Sequence, residues 1–367
     1  MQHLIFGSPG RYVQGEGVID SIGQWLIEYA RRVLIVCDAG VRQIVESQVE
    51  TSLREHDIGC VWIAFAGELT VASVDALVND ASAHAFDTVV AIGGGKALDA
   101  GKALSHATSR PLVTVPTIAS NDSPTSKNYV LYDDHHQLAE VRHMPRSAVL
   151  VLVDTTLLAR APRAFLIAGI GDAVSKYFEA HQCKQAQGKN LFGARPSFAG
   201  YALAHACYEA IRENAETALS ELQTHGVTAS YDRLIEAVIL LSGLGFESGG
   251  LSIAHAMTRG LSRMESAQPA PHGHQVAYGL LVQLHLEGRP DAFVEDIAAF
   301  FARIGLPTRM LGTGGLGARS VDRDVLAQIA EYTMRAPHIA NFERPVEASD
   351  LIAAMQAVEK RAQRELA

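Results

Sequence analysis

Apolar residues follow two different patterns along the first half of the chain. Short, largely apolar runs occupy residues 33–37, 60–65, 87–92, 112–115 and 149–153. Such short runs predict strands that are buried on both faces. Between them, apolar residues recur at helical spacing over 41–55, 74–85 and 97–107. Strands that alternate with helices of this length predict right-handed βαβ units and a parallel sheet.

After about residue 160 the pattern becomes helical throughout, with few β-branched runs. Helices are predicted over 163–182, 198–214, 217–225, 231–244, 248–263, 275–287, 292–304, 323–335 and 348–366. We therefore expect a Rossmann-like α/β domain at residues 1–161 and an all-α domain at 162–367, divided near Ala161–Pro162. A length of 367 residues is consistent with about two domains.

Composition narrows the class of protein. The 31 Lys and Arg residues against 40 Asp and Glu give a net charge of −9, which argues against binding to nucleic acid or anionic lipid. The 4 cysteines form no CxxC motif, so neither a disulfide framework nor a thiolate zinc cluster is expected. Because no apolar run approaches the ~18 residues of a membrane span, and the first residues lack the layout of a signal peptide, we expect a soluble cytoplasmic protein.

A glycine-rich turn follows the third predicted strand, at Gly93-Gly94-Gly95-Lys96. Glycines allow the backbone to approach a pyrophosphate, and the N-terminus of the next helix offers unpaired N–H groups. The end of a parallel strand is also where such sheets bind ligands. The motif is neither GxGxxG nor a Walker loop, so a simple tight turn is the alternative, with Lys96 a solvated charge.

Two further segments could line a cofactor cleft. Residues 116–124 form a loop of small hydroxyl and amide side chains after the fourth strand, although an ordinary turn would have the same composition. Asp38 follows the first strand. It could bind a ribose hydroxyl, as acidic residues do in NAD sites, or simply cap the helix that follows.

Asp172, His255 and His272 are candidate metal ligands. One carboxylate with two imidazoles suits Zn²⁺ or Fe²⁺ and leaves coordination positions open for water and substrate. The three lie far apart in the sequence, so local spacing does not bring them together, and each His alone is more commonly a surface or core residue. His274 is interpreted as a loop residue, and His135-His136 as a solvated hairpin tip.

Taken together and in order, these motifs resemble the glycerol dehydrogenase branch of the iron-containing alcohol dehydrogenase superfamily, which has a dehydroquinate synthase-like fold. The resemblance covers nearly the whole chain. It rests on residues 8–12, the glycine turn with Asp99, Pro116–Ser120, Ala168–Ala173, Gly245–Leu251 with His255, and His272-Gly273.

The resemblance implies a set of site residues. NAD would be bound by Gly94, Gly95 and Lys96 at its pyrophosphate and by Asp38 at its adenine ribose, with Thr117, Ser120, Ser126 and Tyr132 lining the cleft. Zn²⁺ would be held by Asp172, His255 and His272, and Asp122 would contact a substrate hydroxyl. The active site would lie between the two domains, and the protein would be a homo-oligomer, often an octamer in this family.

The resemblance also implies a reaction: hydride transfer between NAD and a small polyol, foremost glycerol, which would become dihydroxyacetone. The metal would act as a Lewis acid that lowers the pKa of the substrate alcohol. The alternative on the same fold is an NAD(P)-dependent reductase of small 2-oxo acids or of other diols. A lyase of the dehydroquinate synthase type and a non-catalytic binding protein are less well supported, because no Arg/Lys cluster for a phosphate is evident and all three ligand positions are intact.

The sequence departs from the family pattern near the metal site. Lys176 stands four residues after Asp172, where iron-using relatives have a His ligand. A charged lysine cannot ligate a metal, so three protein ligands, and Zn²⁺ rather than Fe²⁺, are expected. Thr258 stands where relatives often have a second His, and Asn128 and His274-Gln275 also differ from the pattern.

Overall fold

The computed structural model of the protein describes residues 3–133, 138–265, 270–312 and 314–366. The chain divides into two compact units. The sheet unit consists of Ser8–Phe165 and Glu221–Gly243. The helical unit consists of the described residues within Met1–Gly7, Leu166–Ser220 and Leu244–Ala367. Both units are discontinuous in sequence, whereas the boundary predicted near Ala161–Pro162 is a single point; that boundary stays a prediction.

The strands all belong to the sheet unit. They are β1 (Tyr12–Gly15), β2 (Arg32–Cys37), β3 (Gly59–Ala64), β4 (Thr88–Gly93), β5 (Leu112–Pro116), β6 (Asn128–Tyr132), β7 (Leu138–His143) and β8 (Leu150–Asp154). Six of them form a sheet in the order β1-β8-β5-β4-β2-β3. Every neighbouring pair in it is parallel, while β6 and β7 form a separate antiparallel pair.

The helices follow in chain order. They are α1 (Ile22–Leu26), α2 (Ala39–Glu55), α3 (Val71–Ser82), α4 (Gly95–Thr108), α5 (Thr155–Ala159), α6 (Arg163–Val174), α7 (Lys176–Gln185), α8 (Phe198–His225), α9 (Ala229–Ile235), α10 (Ser242–Gly249), α11 (Ile253–Leu261), α12 (His272–Leu286), α13 (Asp291–Ile304), α14 (Arg323–Thr333) and α15 (Ala348–Leu366). Short 3₁₀ helices occupy Val18–Ser21 and Pro337–Asn341, and a π-helix joins α9 to α10 over Glu236–Leu241.

The core of the sheet unit explains why the apolar runs form strands. Alternate residues of the central strands are fully buried against α1, α2 and the first 3₁₀ helix. On the strands these are Val33, Ile35, Val90, Ile92, Val113, Val115, Leu150 and Leu152. The residues between them on the strands, such as Leu34, Val89 and Val151, are equally buried, so the sheet is covered on both faces.

Parallel pairing places the ends of neighbouring strands at one edge of this sheet. Cys37 at the end of β2 pairs with Ile92, and Gly93 at the end of β4 pairs with Pro116 at the end of β5. Asp38, Gly94 and Thr117 are the residues that follow these strands. The three segments predicted to line a cofactor cleft therefore begin at the same edge.

The predicted fold class is confirmed: a parallel-sheet part with helices is followed by a helical part. All five predicted strands are present with ends within one residue of the prediction. The predicted helix 163–182 is instead two helices that meet at Ser175, and the predicted pair 198–214 and 217–225 is the single helix α8. The predicted helix 231–244 is divided by the π-helix, and 248–263 begins only at Ile253.

Two smaller expectations concern histidines. His274 was expected in a loop, but it lies in the first turn of α12, because this helix already begins at His272. The predicted hairpin tip at His135-His136 lies outside the described residues, between the paired strands β6 and β7.

Within the described ranges, no single helix is long and apolar enough to cross a bilayer. One pair of consecutive helical segments, Ala229–Gly249 and Ile253–Leu261, has the combined length and apolar composition of a membrane span, but the two are bent by 100° relative to each other.

Candidate metal centre and cofactor-binding turn

The three predicted metal ligands come together within the helical unit. Asp172 lies near the end of α6, His255 in the first turn of α11, and His272 at the first residue of α12. One ligand atom from each lies within 4.8 Å of the other two. The structure thus supplies the convergence that the sequence spacing could not predict.

The distances suit a tetrahedral ion. His255 Nε2 lies 3.1 Å from Asp172 Oδ1, and His272 Nε2 lies 3.7 Å from the same oxygen. Ligand atoms bound about 2.0 to 2.2 Å from Zn²⁺ lie roughly 3.3 to 3.6 Å from one another. The side chains of Asp172 and His255 are buried, whereas that of His272 is 49% exposed. The donor set therefore fits Zn²⁺ and is open to solvent on the side of His272.

Two glycines allow the helices that carry Asp172 and His272 to touch. A Cβ atom on Gly273 would lie 1.7 Å from the carbonyl oxygen of Ala168, and one on Gly171 would lie 2.4 Å from that of Gly273. Any larger residue at either position would push α6 and α12 apart. Each glycine is adjacent in sequence to a ligand, so the close approach is what brings the carboxylate and the imidazole together.

Glu179 contacts one of the three candidate ligands and was missed by the sequence analysis. Its Oε2 lies 2.5 Å from His255 Nδ1 and accepts a hydrogen bond from Ser175 Oγ at 3.0 Å. Its Oε1 accepts hydrogen bonds from the backbone N–H groups of Ser252 at 2.8 Å and His255 at 2.9 Å. Because Nδ1 keeps its proton in the hydrogen bond to Glu179, loss of a proton from the His255 ring leaves the lone pair on Nε2, which faces the ligand cluster.

The same contacts keep Glu179 ionised although it is fully buried. Burial alone would raise the pKa of this carboxyl, but the charge of His255, its hydrogen bonds and the Lys176 ammonium lower it to about 2. A weak signal was available in the sequence, because Glu179 stands seven residues after Asp172, two helical turns further on. Nothing local distinguishes it from an ordinary helix-surface glutamate.

Lys176 lies inside the ligand cluster. Its Nζ is 2.9 Å from Asp172 Oδ1, 3.0 Å from His255 Nε2 and 4.9 Å from the centre of the Phe246 ring. The side chain is only 2% exposed. Burial would raise the pKa of Asp172, but this ammonium and the hydrogen bond from His255 hold it well below its ordinary range. Thr258, the other departure near the site, donates its hydroxyl to the carbonyl of His255.

The glycine turn in the sheet unit has the predicted form. β4 ends at Gly93, Gly94 is the extended N-cap residue, and α4 begins at Gly95. The unpaired N–H groups of the first turn of α4 therefore lie at the carboxyl edge of the sheet. Lys96 is 58% exposed, and its Nζ pairs with Glu68 Oε1 at 2.5 Å.

Asp38 occupies the capping role that the sequence left open. Its Oδ1 accepts hydrogen bonds from the N–H groups of Gly40 at 2.8 Å and Val41 at 3.1 Å, at the start of α2. This contact uses one carboxylate oxygen at the edge of the sheet, so capping does not exclude a second partner on the other oxygen.

The remaining predicted cofactor residues lie in the loop after β5 and on β6. Thr117 is buried, and its N–H donates to the carbonyl of Gly93 at 3.1 Å, which ties this loop to the glycine turn. Ser120 is half-buried, and Ser126 is buried and accepts a hydrogen bond from the N–H of Asn128. Burial, with the charges of Asp99 and Glu68, raises the pKa of Tyr132 to about 12.

Asp122, the predicted substrate contact, is buried in the same loop. Its Oδ2 accepts a hydrogen bond from Ser242 Oγ at 2.7 Å, and the neighbouring Thr125 hydroxyl donates to the carbonyl of Ile239 in the π-helix at 2.7 Å. A π-helical turn frees backbone carbonyls and occurs often at functional sites. Ser242 was not predicted, because its helix is distant in sequence.

Lys102 is a third residue that sequence reasoning missed. It is fully buried, and its Nζ donates to Asp99 Oδ1, Ser123 Oγ and the carbonyl of Asn128 at 3.1, 2.7 and 2.6 Å. Asp99 also accepts a hydrogen bond from the N–H of Val130. This pair joins α4 to the loop after β5 and so fixes the predicted cofactor residues relative to the glycine turn.

Comparisons with known proteins agree with this geometry. A family profile described as iron-containing alcohol dehydrogenase matches residues 9–155. Glycolaldehyde reductase of Halobacterium salinarum is 39% identical over 89% of this chain and 89% of its own length. Glycerol dehydrogenase of Thermotoga maritima is 36% identical over 96% of both chains. The crystal structure of glycerol dehydrogenase from Schizosaccharomyces pombe, 30% identical, has a TM-score of 0.92 over 99% of this chain and 92% of that one.

A parallel sheet with a glycine turn at its carboxyl edge suits a dinucleotide, and the Asp–His–His cluster could hold a metal ion, as in metal-dependent dehydrogenases. The chain belongs to the iron-containing alcohol dehydrogenase family, in its glycerol dehydrogenase branch. It is thus an oxidoreductase of the alcohol dehydrogenase type, and NAD is the cofactor that the family implies.

Proposed function

We propose that the protein is a metal-dependent enzyme that transfers hydride between NAD and a small polyol, with glycerol as substrate and dihydroxyacetone as product. The observation that carries the proposal is the convergence of Asp172, His255 and His272 in one half-open cluster. The names of two relatives, both glycerol dehydrogenases, support the choice of polyol.

We assign Asp172, His255 and His272 to a Zn²⁺ ion rather than to Fe²⁺, because Lys176 stands where a fourth ligand would be needed. When bound, such an ion supplies Lewis-acid chemistry that lowers the pKa of a substrate hydroxyl. Glu179 holds the His255 ring by its Nδ1–H and thereby keeps Nε2 available as a ligand. Asp172 remains ionised because Lys176 and His255 stabilise its charge.

NAD is proposed to bind at the carboxyl edge of the sheet. The N–H groups after Gly94 and Gly95, with Lys96 released from Glu68, would hold the pyrophosphate. The Asp38 oxygen that does not cap α2 would accept a hydrogen bond from a ribose hydroxyl. The negative charge of Asp38 disfavours the 2′-phosphate of NADP. The cleft would be lined by Thr117, Ser120, Ser126 and Tyr132.

Asp122 is proposed to orient a substrate hydroxyl. Ser242 donates to its Oδ2 and fixes the direction of the carboxylate, and burial excludes water from it. A bound metal ion would lower the pKa of the substrate hydroxyl, so that water could accept its proton and no side chain would have to act as a strong base.

A second function is favoured by one observation, the buried ammonium of Lys176 beside the metal ligands. A cation there would suit a substrate with a carboxylate, as in the reduction of small 2-oxo acids, while other diols or small aldehydes would need no such charge. A relative at 39% identity bears the name glycolaldehyde reductase, so the reduction of a small aldehyde is included in this second function.

The partners in this proposal are the small-molecule substrate and further copies of the chain. A homo-oligomer, and an octamer in particular, rests on the family resemblance alone. The elution volume of the purified protein in size-exclusion chromatography with light scattering would measure the number of chains.

Formation of NADH with a substrate panel tests the function. Metal-stripped protein is assayed with small polyols, 2-hydroxy acids and simple alcohols, with and without added Zn²⁺ or Fe²⁺. We expect turnover on glycerol or 1,2-diols that depends on Zn²⁺ and is lost with a chelator. Turnover on hydroxy acids alone would replace the polyol by the second function. Equal turnover with and without metal would contradict the assignment of the cluster.

A further inference from the structure

Lys176 has an unusual position for a lysine. It is 2% exposed, and its ammonium contacts Asp172 Oδ1 and His255 Nε2, the ligand atoms of two of the three proposed ligands. Buried lysines are rare unless they are paired, and here the partner is a carboxylate that is itself needed for the metal. The contacts therefore place a fixed positive charge at a site proposed for a positive ion.

The geometry limits how far that charge can lie from a bound ion. Lys176 Nζ, Asp172 Oδ1 and His255 Nε2 form a triangle with sides of 2.9, 3.0 and 3.1 Å. An ion about 2.1 Å from both the oxygen and the nitrogen lies no more than about 4 Å from Nζ, even on the far side of the triangle. At that separation in a buried site, repulsion between an ammonium and a dication is strong.

We propose that Lys176 sets the affinity of this site for divalent metal, by competing with the ion for Asp172 and His255 and so keeping the ion weakly held and exchangeable. The proposal rests on the proposed metal site. Phe246 offers an alternative position for the displaced ammonium, because its ring already lies 4.9 Å from Nζ and an aromatic face attracts a cation.

Glu179 provides an opposite effect from the same helix. It is buried and touches the far nitrogen of His255, so its negative charge and hydrogen bond favour metal binding. Two substitutions on α7 that each remove one charge should therefore shift metal affinity in opposite directions. General damage to the cluster would weaken binding in both.

A matched control lies on the same helix. Lys184 is exposed near the end of α7, where its ammonium lies 4.7 Å from the centre of the Tyr201 ring. Lys184→Met makes the same chemical change and the same change in net charge as Lys176→Met, away from the ligand cluster. It separates a local effect from an effect of overall charge.

The experiment measures the dissociation constant of Zn²⁺ for full-length, metal-stripped protein by competition with a chromophoric chelator at one pH and ionic strength. We expect Lys176→Met to bind Zn²⁺ roughly tenfold more tightly or better than the wild type. Lys184→Met should be unchanged, and Glu179→Gln should bind about tenfold or more weakly. The rise in melting temperature on adding Zn²⁺ should be largest for Lys176→Met, because the metal-free variant lacks the ammonium that stabilises the charge of Asp172 in the wild type.

Equal or weaker binding by Lys176→Met would overturn the proposal. If none of the four proteins binds one Zn²⁺ per chain, the proposed metal site itself fails, and that result is distinguishable from the first. Should Lys176→Met not yield folded protein, Lys176→Gln keeps a hydrogen-bond donor to Asp172 without the charge and carries the same test. Tight binding by the wild type that Lys176→Gln does not improve would also contradict the role of Lys176.

Discussion

The carboxylate of Glu179 is the most completely satisfied charge in the ligand cluster. Its partners are a ring N–H, a hydroxyl and two backbone N–H groups, so it costs little to bury as an anion. Lys176, on the same helix, is satisfied by the atoms that a metal would use. At this scale the site combines one residue that orients a ligand with one that competes for it.

The low pKa of Glu179 predicts an acid-dependent loss of stability. Its pKa is about 2 in the folded protein against an ordinary value of 4.5, so its stabilising contribution is complete above pH 4.5 and is lost as the pH falls towards 2. Between pH 6 and pH 4, the titration of this carboxyl alone should lower the free energy of unfolding of the metal-stripped wild type by about 1 kcal/mol.

Chemical denaturation of the wild type at several pH values measures the fall in stability. Metal must be absent, because metal binding to histidines depends on pH by itself. NMR of the Glu179 side-chain carboxyl carbon separates its titration from that of the other groups, and a midpoint near the ordinary value of 4.5 would contradict the contacts assigned to it.

At the scale of elements, the strands could be predicted from the sequence because they are buried on both faces and end at turn residues. The helices were harder to delimit. Buried Val174 and Phe178 continue one apolar pattern across Ser175, so a single helix was predicted. The helix is interrupted at Ser175, whose hydroxyl hydrogen-bonds to the Asp172 carbonyl and to Glu179 Oε2. Conversely, the break predicted at residues 215–216 is absent, because Ala215, Ala218 and Leu219 are buried on one continuous helix.

The candidate site residues also differ in how far the sequence could predict their positions. Residues that follow a strand, such as Asp38 and Gly94, could be placed at the edge of the sheet from sequence alone. Asp172 and His272 could be joined only through the family resemblance, because their contact depends on how α6 and α12 pack. Glu179 and Lys102 resemble ordinary helix charges, and only their burial distinguishes them.

The glycine turn predicts an effect on NAD affinity that is separate from folding. A Cβ atom on Gly95 would meet only Asn121 Nδ2, at 3.4 Å, so Gly95→Val should fold. The added methyl groups would crowd a pyrophosphate at the helix N-terminus, and we expect NAD to bind roughly tenfold more weakly.

Titration of NAD with a fluorescence readout checks this effect. Ala107→Val, at the exposed far end of the same helix, is the control and should bind NAD like the wild type. Unchanged NAD affinity in Gly95→Val would count against the turn as the pyrophosphate site.

At the scale of the whole molecule, the two kinds of chemistry belong to different compact units. The ligand cluster with Glu179 and Lys176 lies in the helical unit, and the glycine turn with Asp122 and Ser242 lies in the sheet unit. The sheet unit includes Glu221–Gly243, a helical segment that its composition could not separate from the rest of the helical half. Each unit contains the contacts that fix its own site residues.

This separation predicts that metal and NAD binding can be lost independently. His272→Ala removes one ligand whose side chain is 49% exposed, so the helical unit should remain folded. We expect the bound metal to be lost and turnover to fall by roughly 100-fold or more, while the dissociation constant of NAD changes little. Metal analysis, NADH formation and NAD titration on one preparation measure the three quantities.

His274→Ala is the matched control, because His274 lies one residue beyond Gly273 on the same helix and is not in the ligand cluster. It should keep its metal and its turnover. Full activity in His272→Ala would contradict the metal assignment, since no other described residue lies in that cluster of His, Cys, Asp and Glu ligands. Loss of NAD binding together with the metal would instead show that the two units do not bind their ligands independently.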